Sequence, residues 1–120
     1  MARIAIREGA LAPEPDAFVV SAALAQPVSE ESLRAAFAAA LADANARGAR
    51  LVLAPALGAG ALPLQRCAEL LFAEAQQHLD GPTCVEEIRF VVAGEPAYRV
   101  FESVQDAARI AAQMARLQRR

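Results

Sequence analysis

The stretch Gly58-Ala59-Gly60-Ala61-Leu62-Pro63 joins an apolar run, LVLAPAL, to a segment with helical periodicity. Small residues between a strand and a helix let backbone come close to a ligand, and the free N–H groups at a helix start favour anions. The chemistry implied is main-chain binding of a phosphate-bearing ligand. A plain strand-to-helix turn uses the same residue types, and so short a motif does not separate the two. Ser21 ends a second apolar run, where its hydroxyl could reach the same ligand or bond to nearby backbone.

The other reactive side chains carry simpler readings. His78 is the only histidine; it falls near the end of a helical segment, where an imidazolium would complement the helix dipole. One histidine excludes a histidine-based metal cluster. Cys67 lies on the apolar face of its helix and reads as core, whereas Cys84 precedes a strand without an evident partner. Two cysteines with no CxxC spacing form no disulfide framework and suit reduced thiols in a cytoplasmic protein. Glu30-Glu31 and Glu86-Glu87 are sequence neighbours, which point apart and read as solvated faces. The terminal RLQRR puts cations where a helix C-terminus favours them, with a phosphate-binding patch as the alternative.

These residues need a scaffold, and 120 residues set its scale: one small domain over 1–120, able to bury roughly two thirds of its unfolded surface. A chain 56% hydrophobic and 22% charged is globular rather than disordered. The net charge of −2 supplies no general attraction to nucleic acid or to an anionic membrane. All twelve basic residues are arginine. No uncharged apolar run is long enough to span a bilayer, and MARIAIREG is too charged for a signal peptide. Aromatic content of 5% predicts an aliphatic, alanine-lined core.

The elements alternate. Residues 2–8 carry the two-residue period of a strand with one wet face, 10–16 form a proline-punctuated loop, and 17–23 read as a buried strand. Ser29 caps a helix with Glu30 and Glu31 in its first turn, a stripe of Leu33, Phe37, Leu41 and Ala44, and Gly48 as its stop. A strand over 50–57 leads through Gly58 and Gly60 to Pro63, which suits a first helical turn. Leu64, Cys67, Leu71, Ala75 and Leu79 form that helix's stripe, and DGP at 80–82 ends it. A strand over 86–94 and a helix over 96–118 follow, with Val100, Val104, Ala107, Met114 and Leu117 inward. Ser103 with Asp106 could instead cap a shorter helix, leaving AYRVF as strand. The order β-β-α-β-α-β-α implies a mostly parallel sheet covered by helices, with ligands outside the carboxyl ends of the strands.

Residues 50–104 resemble the macro domain, the ADP-ribose-binding module. LVLAPALGAGALPLQRCAELLFAEAQQHL matches the family's Pro-Ala-Ile/Leu-Gly-Thr-Gly loop after a buried strand, with a proline opening a helix that carries paired small residues, here Cys67-Ala68. The segment VEEIRFVVAGEPAYRVFESV supplies the Ile-x-Phe-Val-Val strand. RIAIREGALAPEPDAFVVSAAL (3–24) is similar to the family's opening. The resemblance implies a three-layer α/β/α macro-like domain with a reduced, mostly parallel mixed sheet of four strands.

Departures from the family pattern concern the ligand. Ala10 stands where the family has the aspartate that holds adenine. Ser21 and Leu24 replace the two asparagines of Asn-Ala-Ala-Asn, Ala59 replaces the loop threonine, and Ala93 replaces an aromatic, with Tyr98 close in sequence. The glycine-rich segment and the strands after it are absent, and the loop before Pro63 is short. What the resemblance leaves is a reduced anion site at Ser21 and Gly58, Ala59, Gly60, Ala61 and Leu62, for a nucleotide or ADP-ribose fragment. No metal, cofactor or catalytic residue is assigned, and hydrolysis would need a base that the residues do not identify. The alternative is a non-catalytic homo-oligomer or protein-interaction domain that has lost ADP-ribose binding, because missing strands leave a sheet edge or face to be covered.

Overall fold

A computed structural model describes residues 2–21, 24 and 26–118. The elements run β1 (Arg3–Glu8), β2 (Ala17–Val19), α1 (Glu30–Ala46), β3 (Leu51–Ala54), α2 (Leu64–Asp80), β4 (Glu87–Val92) and α3 (Glu95–Gln118). The strands stand in the order β1-β4-β3-β2. All three pairings are parallel, so the antiparallel component expected of a mixed sheet is not among them. β2 is shorter than 17–23; Val20 adds one rung by donating to the Leu53 carbonyl at 2.8 Å, and Ala22 and Ala23 lie outside the described residues.

Local signals set the ends of α1. The Ser29 hydroxyl accepts from Ser32 N–H at 3.0 Å while Ser32 Oγ accepts from Ser29 N–H at 2.9 Å, which closes a capping box. At the other end Gly48, at φ +75°, lets its own N–H and that of Ala49 donate to Asn45 and Ala44. The stripe Leu33, Phe37, Leu41 and Ala44 is fully buried. α3 begins at Glu95, so AYRVF is helix and the shorter alternative from Ser103 is set aside.

All three helices cover one face of the sheet. Strand side chains alternate between faces, and Ile88, Phe90 and Val92 of β4 point into the core. Phe90 meets Phe72 of α2 at 5.1 Å between ring centroids, Phe101 of α3 at 5.5 Å and Phe37 of α1 at 5.8 Å. The core therefore centres on aromatic rings rather than being only aliphatic and alanine-lined. Few aromatics suffice because four of the five phenylalanines converge on one point.

The expected second helical layer is not present among the described residues. The steps β2-α1-β3 and β3-α2-β4 move across the sheet in one direction with their helices on one face. β1 to β2 returns the other way, so the same right-handed crossover puts it on the opposite face. That connection, residues 9–16, is too short and proline-rich to form a helix, and it crosses as a strap. Glu14 on the strap pairs with Arg89 at 3.1 Å, and Arg89 in turn holds Glu87 at 2.7 Å, which also binds Arg3 at 2.6 Å. Leu53 is buried on this face, outside the helix-side core. Glu87 is thus a partly buried member of an ion network rather than a solvated acid. Burial opposes its charge, but the Arg3 and Arg89 guanidiniums outweigh that and hold its carboxyl below the usual range.

Replacing Phe90 by alanine removes the one ring that touches all three helices. The expected loss in urea unfolding is about 3–5 kcal/mol, the usual range for a core phenylalanine.

Candidate functional site

Because the sheet is parallel, the carboxyl ends of its strands share one edge. The loop after β3 lies there and enters α2. Continuing the β2–β3 register puts Ser21 level with Pro55 at the same edge. Ser21 is exposed, and its hydroxyl has no hydrogen bond to a described residue.

The loop is largely bonded to itself. Ala59 N–H donates to Ala56 at 3.2 Å, and Ala61 and Leu62 N–H both donate to the Gly58 carbonyl, at 3.1 and 3.0 Å. Ala59 and Leu62 also form an isolated parallel bridge. Of the five N–H groups expected to form an anion cradle, three are committed inside the turn by hydrogen bonds, and the parallel Ala59–Leu62 bridge turns the Gly60 N–H toward the Leu62 carbonyl. The two glycines differ in purpose. Gly58, at φ +82°, packs so closely that a Cβ would lie 3.1 Å from Leu33 and 3.3 Å from Cys67. Gly60, at φ +93°, faces open space. The first is a packing glycine and the second an approachable one.

α2 starts differently from α1. Pro63 occupies its N-cap position and offers no side-chain acceptor, and the first turn has no acid. The orphan N–H groups of that turn are thus uncapped by side chains. Arg66 is the cation of this turn, but it makes a two-pronged pair with Glu30 at 2.8 and 2.9 Å and a second bond to Glu69 at 3.2 Å. These bonds raise the Arg66 pKa and lower that of Glu30, so Arg66 stays charged but already engaged.

The other candidates are structural. Cys67 is buried, and burial pushes its thiol up, which suits core packing and not nucleophilic attack. Cys84 is exposed and its thiol lies 3.4 Å from the Ala49 carbonyl, while its N–H donates to Asn45 Oδ1 at 2.8 Å. Both thiols are free. His78 Nε2 lies 2.8 Å from the Thr83 hydroxyl, and burial lowers its pKa. Its partly buried, hydrogen-bonded ring disfavours the imidazolium expected at a helix end. Arg119 and Arg120 of the terminal basic run lie outside the described residues. Among the described residues no group of three His, Cys, Asp or Glu could hold a metal, and no helix is long and apolar enough to cross a membrane.

A cleft of about 940 Å³ opens between α2 and α3, lined by Phe72, Ala73, Asp80, Val104, Ala108 and Ala112 among others. The loop does not contribute to it. Ala107, Met114 and Leu117, expected inward, are exposed, because α3 outruns the body it packs on.

Two measurements check these assignments. Gly58→Ala is expected to lower the unfolding midpoint in urea well beyond Gly60→Ala, since both strain the backbone but only the first also collides with Leu33 and Cys67. For His78 the folded pKa lies below the ordinary 6.5, so the unfolded chain takes up the proton first and stability falls as pH drops through and below that value. His78→Gln should flatten the dependence just below pH 6.5, leaving the carboxylate-linked loss at lower pH.

No family model matches the chain, and no curated protein matches it. Solved structures do. A Trypanosoma brucei macrodomain in complex with ADP matches at TM-score 0.60 and 19% identity, over 63% of this chain and 34% of that one. A mutant of the Oceanobacillus iheyensis macrodomain matches at TM-score 0.60 and 17% identity, over 66% of this chain and 43% of that one. The chain spans less than half the length of either. At this identity the likeness concerns architecture, and the chain has a macrodomain-like α/β fold.

Proposed function

We propose that this chain is a binding module of reduced scope for a phosphate-bearing ligand, a nucleotide or ADP-ribose fragment, at the carboxyl edge of the sheet. The observation that carries this reading is the uncapped first turn of α2 preceded by Gly60, whose backbone is open to approach. An anion there would receive N–H groups that no side chain satisfies and would sit on the positive end of the helix dipole. A neighbour of the same fold is a macrodomain in complex with ADP, which makes a diphosphate the first ligand to try. The free thiols fit the cytoplasmic location expected from sequence.

The site as built is a weak one. Three loop N–H groups are committed internally, and Arg66 is already paired. A second reading therefore has its own support: a turn bonded to itself needs no ligand, which fits a domain that has lost ADP-ribose binding and acts through association.

Calorimetric titration with ADP-ribose, ADP and inorganic phosphate at low salt separates the two. Saturable binding of the diphosphates is expected, and Ala61→Asp, which sets a negative charge beside the uncapped turn, should weaken it about tenfold or more, roughly 1.4 kcal/mol. Absence of heat at millimolar ADP-ribose and ADP would overturn the binding reading.

A further inference from the structure

On the sheet face away from the helices, the strap is the segment that crosses the strands. No helix lies there among the described residues, yet Leu53 keeps only 1% of its surface exposed and stands outside the helix-side core. Its register neighbours in the same row are Val19 on β2 and Arg89 on β4. Flanking strands cover a side chain from its sides; cover from above has to come from the crossing segment. Residues 9–16 supply it, and Glu14 reaches Arg89, one strand from Leu53, at 3.1 Å.

This cover is lightly fastened. Across 10–16 only Leu11 is partly buried, and the rest are exposed. The Gly9 N–H donates to the Val92 carbonyl and the Glu14 carbonyl accepts from Ala17 N–H, but residues 10–13 make no backbone hydrogen bond to a described residue. The Glu14–Arg89 pair is the one side-chain bond from strap to sheet among the described residues. The Glu14 side chain is 49% exposed, so this pair is of the screened kind that contributes little. Both ends carry backbone able to pivot. Gly9 has φ +150° and open space where a Cβ would lie. Asp16, at φ 65°, is the one non-glycine residue with positive φ among the described residues. Such conformations concentrate at switch segments, and hinges are a few loop residues that absorb the dihedral change. Between the pivots Pro13 and Pro15 fix their own φ, which stiffens the piece that swings.

We propose that residues 9–16 are a hinged cover that opens as a unit while the sheet and its helices stay folded. Opening turns about Gly9 and Asp16, parts Glu14 from Arg89 and uncovers Leu53 with the row that Val19 and Arg89 complete. Arg89 stays bonded to Glu87 at 2.7 Å, so opening strands no buried charge. The core around Phe90 lies on the other face and does not depend on the strap. Weakly contacted segments open locally at a lower cost than the whole fold. The closed strap is therefore an autoinhibitory contact: anything that binds the Leu53 row must first displace it.

Thiol alkylation read by mass spectrometry tests this in a chain carrying Leu53→Cys and Cys84→Ser. Cys67 is buried in the helix-side core and reports opening of the whole fold, while the thiol at position 53 reports the strap. With each rate divided by its value in the urea-unfolded chain, position 53 is expected to react about tenfold faster than Cys67 or more. Adding Glu14→Gln should raise the rate at position 53 about two- to fivefold and leave Cys67 unchanged. A second readout needs no new cysteine and decides alone if the Leu53→Cys chain does not fold. The Ala17 N–H, which donates to the Glu14 carbonyl, should exchange with deuterium faster in Glu14→Gln than in wild type, while the Val20 N–H, bonded to Leu53, keeps its rate. Equal normalised rates at positions 53 and 67 overturn the proposal, because the face then opens only when the fold does. So does a Glu14→Gln chain in which neither position 53 nor the Ala17 amide speeds up, or in which Cys67 speeds up by the same factor.

Discussion

Phe90 receives one aromatic ring from each helix, at centroid distances of 5.1 to 5.8 Å, and the rest of the layer arrangement depends on that contact. A helix on the far face of the sheet could not reach this ring. The convergence therefore fixes all three helices on one side, at a strand with neighbours on both flanks. It also fixes where the chain must pass when it returns from β1 to β2. With the helical face filled, a right-handed crossover leaves only the other face, and residues 9–16 are long enough to traverse it but not to cover it with a helix.

That second face shows how a thin layer is made stable without a second core. Glu14 on the strap, Arg89 and Glu87 on β4 and Arg3 on β1 form one chain of ion pairs. Arg89 and Glu87 keep only 14% and 12% of their side-chain surface exposed. Charges so far out of water are tolerated because each has a partner at hydrogen-bond distance; removing one would leave the others uncompensated. An exposed pair of the same geometry, such as Arg99 with Glu95 on α3, contributes little.

Features encoded by near neighbours were legible in the sequence. The ends of α1 follow from Ser29 and Gly48, residues whose capping bonds stay within the adjacent turn. The buried stripes of α1 and α2 follow from spacing alone. What depended on distant partners was not legible. Glu87 reads as a solvated acid until Arg3, 84 positions away, is placed beside it. The phenylalanines look too few for an aromatic core until topology gathers them. Met114 and Leu117 have the correct period for a buried stripe, but periodicity does not say where the body ends. At the loop, Gly58 and Gly60 were recognisable as turn residues. That Ala59, Ala61 and Leu62 would bond within the turn depends on the backbone path, which composition does not encode. The hydrogen-bond partner of His78, Thr83, lies just past the helix end, a position that helical periodicity does not predict.

α2 is the element on which both ends of the molecule act. Its first turn borders Gly60 and lacks a cap, and its last turn presents Asp80 to the cleft beside α3. Among the described residues each end is electrostatically incomplete in the sense set by its own dipole: N–H groups without a side-chain acceptor at one, an acid without an ion pair at the other. α1 shows no such deficit at its start, where Ser29, Ser32, Glu30 and Glu31 supply acceptors and negative charge. An anion at one end of α2 and a cation at the other would both stabilise the same helix. The dipole effect is confined to the terminal turns, and 17 residues separate the ends by about 26 Å. The two ends should therefore act independently, so that a charge placed at one leaves the electrostatics of the other unchanged.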